Sequence, residues 1–205
     1  MKYPFFASFL VLCALFYYKR KKADRTEANI MAEYYERENR ANNTRKQPVD
    51  NLDYINIPLE QLPMELCKDD ELIAEYHQDI TRLLAEKIVN FTGQTNTDLK
   101  LLYGPANLPF LQQCDFNYTH LVTVLHNWAK RLYDLQYTDA ALTVLEYAVS
   151  IKADISGVYF LAADIYVNNN TPEKINALIA AAEGLESVMK NSIINKLNEK
   201  IKNGD

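Results

Sequence analysis

The chain has 205 residues, 48% of them hydrophobic, which is enough for one globular domain and an additional segment. Five glycines and seven prolines are too few for a collagen-like or low-complexity chain. The net charge of −5 divides into +5 up to Arg25 and −10 beyond it, and this acidic body argues against nucleic acid as the main partner, because phosphate binding needs clustered lysine and arginine.

The first predicted element is a hydrophobic helix over residues 3–18, a stretch without any charged residue. Its length of roughly 24 Å is short of the ~30 Å hydrocarbon core of a bilayer. Interfacial tyrosines at both ends and the long stems of Lys19 and Arg20 can cover the difference. We therefore predict a membrane anchor over residues 1–22, with Phe5, Phe6, Phe9, Leu10, Leu12, Leu15, Phe16, Lys19 and Arg20 as the anchoring side chains.

The flanking charges predict the orientation of this anchor. One lysine precedes the apolar run and five basic residues follow it closely, so the positive-inside rule predicts an outside N-terminus and a cytoplasmic body. One alternative is a cleaved signal peptide, although the positive charge follows the apolar run and no small residues mark a cleavage site. The other is a lipoprotein signal ending at Cys13, although the large Leu10 and Leu12 precede that cysteine.

Beyond the anchor, the sequence predicts a helical stalk and linker over residues 23–48 and a helical domain over 49–205. Pro58 and Pro63 exclude a helix from residues 49–63, so this apolar segment is expected to lie extended on the helical domain. Asp69 or Asp70 caps a helix predicted to run to Phe91. Further helices are expected at 97–103, 117–135, 138–152, 154–167, 171–189 and 191–202, with an irregular apolar stretch at 108–116.

Four of these helices contain residues that recur after 34 positions. The recurrent positions are Leu125, Trp128, Ala129, Leu132, Ala141, Leu145, Ala148 and Ala153 in the first unit and Tyr159, Ala162, Ala163, Tyr166, Ile175, Ile179, Ala182 and Ser187 in the second. This spacing resembles the tetratricopeptide repeat, which places small residues where Ala129, Ala148, Ala163 and Ala182 stand. Ile175 departs from that pattern, and neither unit has the closing proline. The resemblance covers residues 122–189 and implies an all-α fold of antiparallel hairpins stacked as a short α-solenoid.

In such a stack, the first helix of each hairpin lines a groove that holds a protein or peptide. The residues expected there are His126, Lys130, Tyr133, Phe160 and Asp164, and an ordinary solvated face is the alternative. Lys130 does not reproduce the paired lysine and asparagine of repeat domains that hold a C-terminal carboxylate.

No residue pattern indicates catalysis, a cofactor or a metal. The chain has no glycine-rich phosphate loop, no GxSxG and no HExxH. Cys114, His120 and His126 are spaced unfavourably for zinc. The acidic residues from Asp69 to Glu75 fall in the first turns of a helix, where the macrodipole favours negative charge. With only three cysteines, a disulfide framework is not expected either.

These patterns favour a membrane-anchored cytoplasmic adaptor or scaffold over an enzyme. The alternative is a structural subunit of a membrane complex, with no separate ligand groove. The partner is expected to be a protein or peptide rather than nucleic acid.

Overall fold

The structure is a computed structural model that describes the backbone of residues 4–204 and the side chains of residues 9 and 11–202. Within that part of the chain it contains eight α-helices and no strand, which confirms the predicted all-α class. The helices are α1 (Pro4–Asn42), α2 (Glu71–Leu83), α3 (Asn96–Tyr103), α4 (Leu108–Asp134), α5 (Thr138–Ser150), α6 (Ser156–Asn168), α7 (Ile175–Glu183) and α8 (Lys190–Gly204).

The chain divides into two compact units. The first comprises Met1–Gln47 and Thr95–Leu108, and the second comprises Pro48–Gln94 and Pro109–Asp205. Residues 4–42 of the predicted anchor and stalk form one continuous helix in the first unit, α1, whose 39 residues correspond to about 58 Å.

In the first unit, polar side chains join the C-terminal end of α1 to α3. Lys100 is only 8% exposed, and its ammonium pairs with the carboxylate of Glu38 and donates to Asn42 Oδ1 at 2.8 Å. A second ion pair joins Arg37 to Asp98. Charge pairing of a nearly buried lysine therefore fixes α3 on α1, since an unpaired buried ammonium would be costly.

The start and end of α3 follow the sequence prediction closely. The Asp98 N–H donates to Thr95 Oγ1 at 3.2 Å, and the Thr95 N–H donates to Asp98 Oδ2 at 2.9 Å, which is a reciprocal capping box. The helix ends at Gly104, whose φ of 83° favours glycine. A Cβ on Gly104 would lie 2.7 Å from the Arg45 carbonyl oxygen, so glycine also allows the chain to pass close by.

In the second unit, residues 34 positions apart occupy equivalent buried positions. Of the sixteen recurrent residues in the two predicted repeats, all are buried except Ile179 and Ser187, which are half-buried. Trp128 and Tyr159 are the largest fully buried side chains. The alanines of both units have no exposed surface, which lets neighbouring helices approach closely.

Helices α4, α5 and α6 end in the same way. The second residue after each helix, Gln136, Lys152 or Asn170, has φ between 55° and 67°. The next N–H then donates to a carbonyl five residues back, in the bonds Tyr137 to Leu132, Ala153 to Ala148 and Thr171 to Tyr166, at 2.9–3.0 Å. These are Schellman motifs, and those of α4 and α6 lie 34 residues apart.

Several predicted helix boundaries are wrong. The helix predicted to run to Phe91 ends at Leu83, and Ile88, Val89 and Phe91 are buried in a segment outside any helix. There the Asn117 side-chain amide donates to the Lys87 carbonyl oxygen at 3.0 Å. In a continuing helix that carbonyl would accept a backbone N–H instead. The helix predicted to reach residue 189 ends at Glu183, with Gly184 as the residue that follows it.

Residues 108–116, predicted to be irregular, form the first turns of α4. Pro109 stands in the first turn, where its missing N–H costs no hydrogen bond. The helices predicted to begin at residues 154 and 171 also begin later, α6 at Ser156 and α7 at Ile175. The residue before α6 is Ile155, and the Thr171 hydroxyl donates back to the Tyr166 carbonyl at 3.2 Å.

The N-terminal third of α1 exposes apolar side chains. Phe9, Leu12, Leu15 and Phe16 are 55–69% exposed, and Val11, Tyr17 and Tyr18 are exposed to a similar degree. Among the described residues, no helix combines the length and apolarity needed to cross a membrane. The predicted span begins at Tyr3, and Tyr3 with the side chains of Phe5, Phe6 and Leu10 lies outside the described residues.

Candidate functional site

The predicted partner-binding residues lie on two helices that touch. His126, Lys130 and Tyr133 follow one another along α4 at helical spacing, while Phe160 and Asp164 lie on α6. The Asn168 amide of α6 donates to the Tyr133 hydroxyl at 3.4 Å, a long hydrogen bond. The α4 and α6 members of the predicted set therefore lie on adjacent helices.

Helix α8 covers part of this surface. Lys200 of α8 forms an ion pair with Asp164, which occupies the carboxylate that was predicted to meet a partner. Phe160 is half-buried and packs against the core. Lys130, by contrast, is exposed and forms no salt bridge within the described part of the chain. The residues of this surface open to a partner are thus Lys130, Tyr133 and the exposed part of Phe160.

His126 lies directly over the first turn of α6. A Cβ on Gly157 would overlap the imidazole ring, so glycine leaves the room that the ring occupies here. Burial, with a smaller contribution from Lys130, holds the pKa of His126 below its usual value. The side chain is therefore a neutral packing group at neutral pH, and it is better described as part of the α4–α6 contact than as a ligand group.

The sequence did not predict a separate cleft of about 520 Å³ in the second unit. Its walls are the extended segment around Tyr54 to Asn56, the loop from Asn90 to Gln94, the end of α5 and the turn at Gly184 to Glu186. The Ile55 N–H donates to the Ile88 carbonyl at 2.9 Å, and the Tyr147 hydroxyl donates to the Asn56 carbonyl at 3.3 Å. The extended segment, which was expected to lie on the helices, thus forms one wall.

Tyr118 holds two walls of this cleft together. Its buried hydroxyl accepts from the Asn90 amide at 2.9 Å and donates to the Lys152 carbonyl at 2.9 Å. Burial is the main cause of a strongly raised pKa, so the phenol stays neutral and keeps its donor proton. The loop at Asn90 and the C-terminal end of α5 are therefore fixed to each other through one side chain.

The charges along this region are mainly negative. Asp53 and Glu186 line the cleft with Lys152, and a smaller adjoining cleft of about 380 Å³ contains Asp115 and Asp154. Burial first, and Asp154 second, raise the pKa of Asp115 above the usual aspartate value. The arrangement would favour a cationic group over an anionic one. No three metal-ligating side chains come together in the described chain.

Asp70, just before α2, and His77 within it both make side-chain contacts with α4. Asp70 caps α2, accepting the Ile73 N–H at 3.2 Å, and Arg131 Nη2 donates to its other carboxylate oxygen at 2.5 Å. Arg131 thereby lowers the pKa of Asp70. The half-buried His77 packs edge-on against Trp128, with ring centroids 5.0 Å apart.

Comparisons with known proteins add no functional assignment to this geometry. No protein-family model matches the chain, and neither a curated protein nor a solved structure is found to match it. The functional interpretation therefore rests on the residues and contacts described above.

Proposed function

We propose that the protein is a membrane-attached interaction module that binds a protein or peptide through its second unit. The apolar N-terminal third of α1 carries this proposal. Val11, Phe16 and Tyr17 lie about 100–140° apart around the helix axis, and all are exposed. A helix that is apolar all round is typical of a buried or membrane environment.

The proposed orientation follows from charge. The basic residues after the apolar run assign the rest of the chain to the cytoplasmic side by the positive-inside rule. The −10 charge of residues 26–205 agrees with a body that does not bind anionic surfaces. The apolar segment would then hold the helical units close to, but outside, the membrane.

The binding part of the proposal rests on the 34-residue periodicity. Equivalent buried positions and equivalent Schellman ends support two stacked tetratricopeptide-like hairpins, α4 with α5 and α6 with α7. In that architecture the first helices offer a binding surface, here the one with Lys130, Tyr133 and Phe160. An aromatic and basic surface of this kind suits an acidic or amphipathic segment of a partner.

Co-purification with the full chain in mild detergent tests the binding surface. The double variant Tyr133→Ala with Phe160→Ala, and separately Lys130→Glu, should lose a partner that the unmodified chain retains. Phe110→Ala with Phe116→Ala removes two exposed aromatics of α4 elsewhere and is the matched control. If all variants recover every partner equally and their circular dichroism is unchanged, this surface does not bind the partner.

The alternative is a structural subunit of a membrane complex. Phe116 and Val188 favour it, being 65% and 96% exposed in the second unit, because exposed large apolar side chains commonly mark permanent interfaces. Under this alternative, Phe116→Ala and Val188→Ser would release partners while the Tyr133 and Phe160 variant would not. The same co-purification therefore separates the two functions.

A further inference from the structure

Directly after the apolar third, α1 carries five basic residues within seven positions. We call Lys19, Arg20, Lys21, Lys22 and Arg25 the basic collar. All five are exposed, and Asp24 is the one acidic residue among them. Successive residues in an α-helix are about 100° apart, so the four consecutive residues alone surround the helix.

The collar is not neutralised by the rest of the chain. None of its five side chains forms a salt bridge within the described residues, whereas Arg37 and Lys100 of the same unit are both paired with carboxylates. Lys21 instead lies 6.0 Å from the Tyr17 ring centroid, at the border with the apolar third. The positive charge is therefore available to an external anion.

The dimensions of the collar match a lipid headgroup layer. From Lys19 to Arg25 the helix rises about 9 Å, and each polar layer of a bilayer is about 5–8 Å thick. A helix lying flat on a membrane would have one apolar face and one charged face. Here apolar and basic residues each surround the helix and follow one another along it, which suits a helix that enters the membrane steeply.

We propose that the basic collar binds anionic phospholipid headgroups around the point where α1 enters the membrane. This inference rests on the proposed membrane attachment and names the lipid class that the attachment prefers. The ring of ammonium and guanidinium groups supplies charge complementarity, and the apolar third supplies a position at the lipid surface. The acidic remainder of the chain has the wrong charge for the same surface.

Flotation of the full chain with lipid vesicles tests the inference. Vesicles of phosphatidylcholine alone are compared with vesicles in which part of that lipid is replaced by phosphatidylserine. The triple variant Lys19→Gln, Lys21→Gln, Lys22→Gln should lose about fivefold of the serine-lipid preference per lysine, roughly 100-fold in all. Lys46→Gln, Lys196→Gln, Lys202→Gln is the matched control, with the same charge change at exposed positions.

The outcomes separate this inference from the proposed function. If the unmodified chain floats equally well with both vesicles, the collar does not select anionic lipid, while the proposed membrane attachment still stands. Failure to float with either vesicle overturns attachment itself. A triple variant that keeps the serine-lipid preference, or a control that loses it equally, also overturns the collar. Tighter retention of the chain by a DNA duplex than by anionic vesicles would reassign the collar to nucleic acid.

Discussion

Asp70 combines two roles in one carboxylate, the cap of α2 and the ion pair with Arg131. Asp70→Ala should lower stability more than Asp70→Asn, because asparagine still caps the helix and loses only the charge. Melting temperatures of the full chain in detergent measure both changes. Equal melting temperatures for the two variants would mean that the cap contributes nothing.

The charge of Asp70 also predicts a pH dependence. Its folded pKa is lowered by the hydrogen bond from Arg131, so its contribution to stability is complete above the unfolded aspartate pKa of about 4. The contribution is lost as the pH falls through the folded pKa. The melting difference between the unmodified chain and Asp70→Asn should therefore be constant near neutral pH and shrink below about pH 4. A difference independent of pH would contradict the ion pair.

Gly157 determines how closely the ring of His126 can approach α6. Gly157→Ala should push the imidazole outward, because the new methyl group would overlap it. The pKa of His126, now held low by burial, should then rise toward its ordinary value near 6.5. NMR titration of the histidine signals measures this shift. His77 packs against Trp128 instead, so it is the internal control and its pKa should not change.

At the scale of helices, the ends of α4, α5 and α6 each place a residue other than glycine in the left-handed backbone conformation. Gln136→Gly and Lys152→Gly should each stabilise the chain by about 0.5–1 kcal/mol, because glycine adopts this conformation without the side-chain clash. Asn170→Gly should gain less, since asparagine tolerates the conformation better. Thermal unfolding measures the gains. Gln136→Ala keeps the clash and should give no gain, and a gain there would contradict the explanation.

Helix periodicity predicted which elements exist better than where they end. The glycine at 104 is a local signal, so the end of α3 was predicted correctly, and its start differs from the prediction by one residue. The end of α2 is set by distant groups, including the Asn117 amide that binds the Lys87 carbonyl. Ile88 and Phe91 also fit the helical pattern, although they are buried in a segment outside any helix. Apolar spacing alone does not distinguish these two cases. This missed segment is why the cleft beside Asn90 was not predicted.

The surroundings of the candidate binding residues could be predicted from the sequence only in part for a similar reason. The spacing along α4 and α6 indicates which residues share a helix face, because that depends on helix geometry alone. The ion pair between Lys200 and Asp164 depends on where α8 packs, which lies 36 residues away in sequence. No local pattern indicates that contact. His126 was assigned to a ligand surface because sequence cannot reveal that Gly157 lies beneath its ring.

For the whole molecule, the apolar third of α1 should dominate behaviour in water. A chain lacking residues 1–18 loses the ring of exposed aromatic and aliphatic side chains and should remain monodisperse without detergent. The full chain should aggregate or require detergent under the same conditions. Sedimentation of both forms measures the difference, and aggregation of the shortened chain would point to exposed residues such as Phe116 instead.

The division of the first unit into two sequence segments has a consequence for protein synthesis. Helix α1 ends at Asn42, but its partner α3 is completed only at Tyr103, about 60 residues later. At typical translation rates this interval is roughly 3–12 s. Newly made chains therefore carry α1 for several seconds without Lys100 to pair with Glu38. The speed of translation between residues 43 and 103 thus sets how long the C-terminal end of α1 can contact other molecules before α3 packs on it.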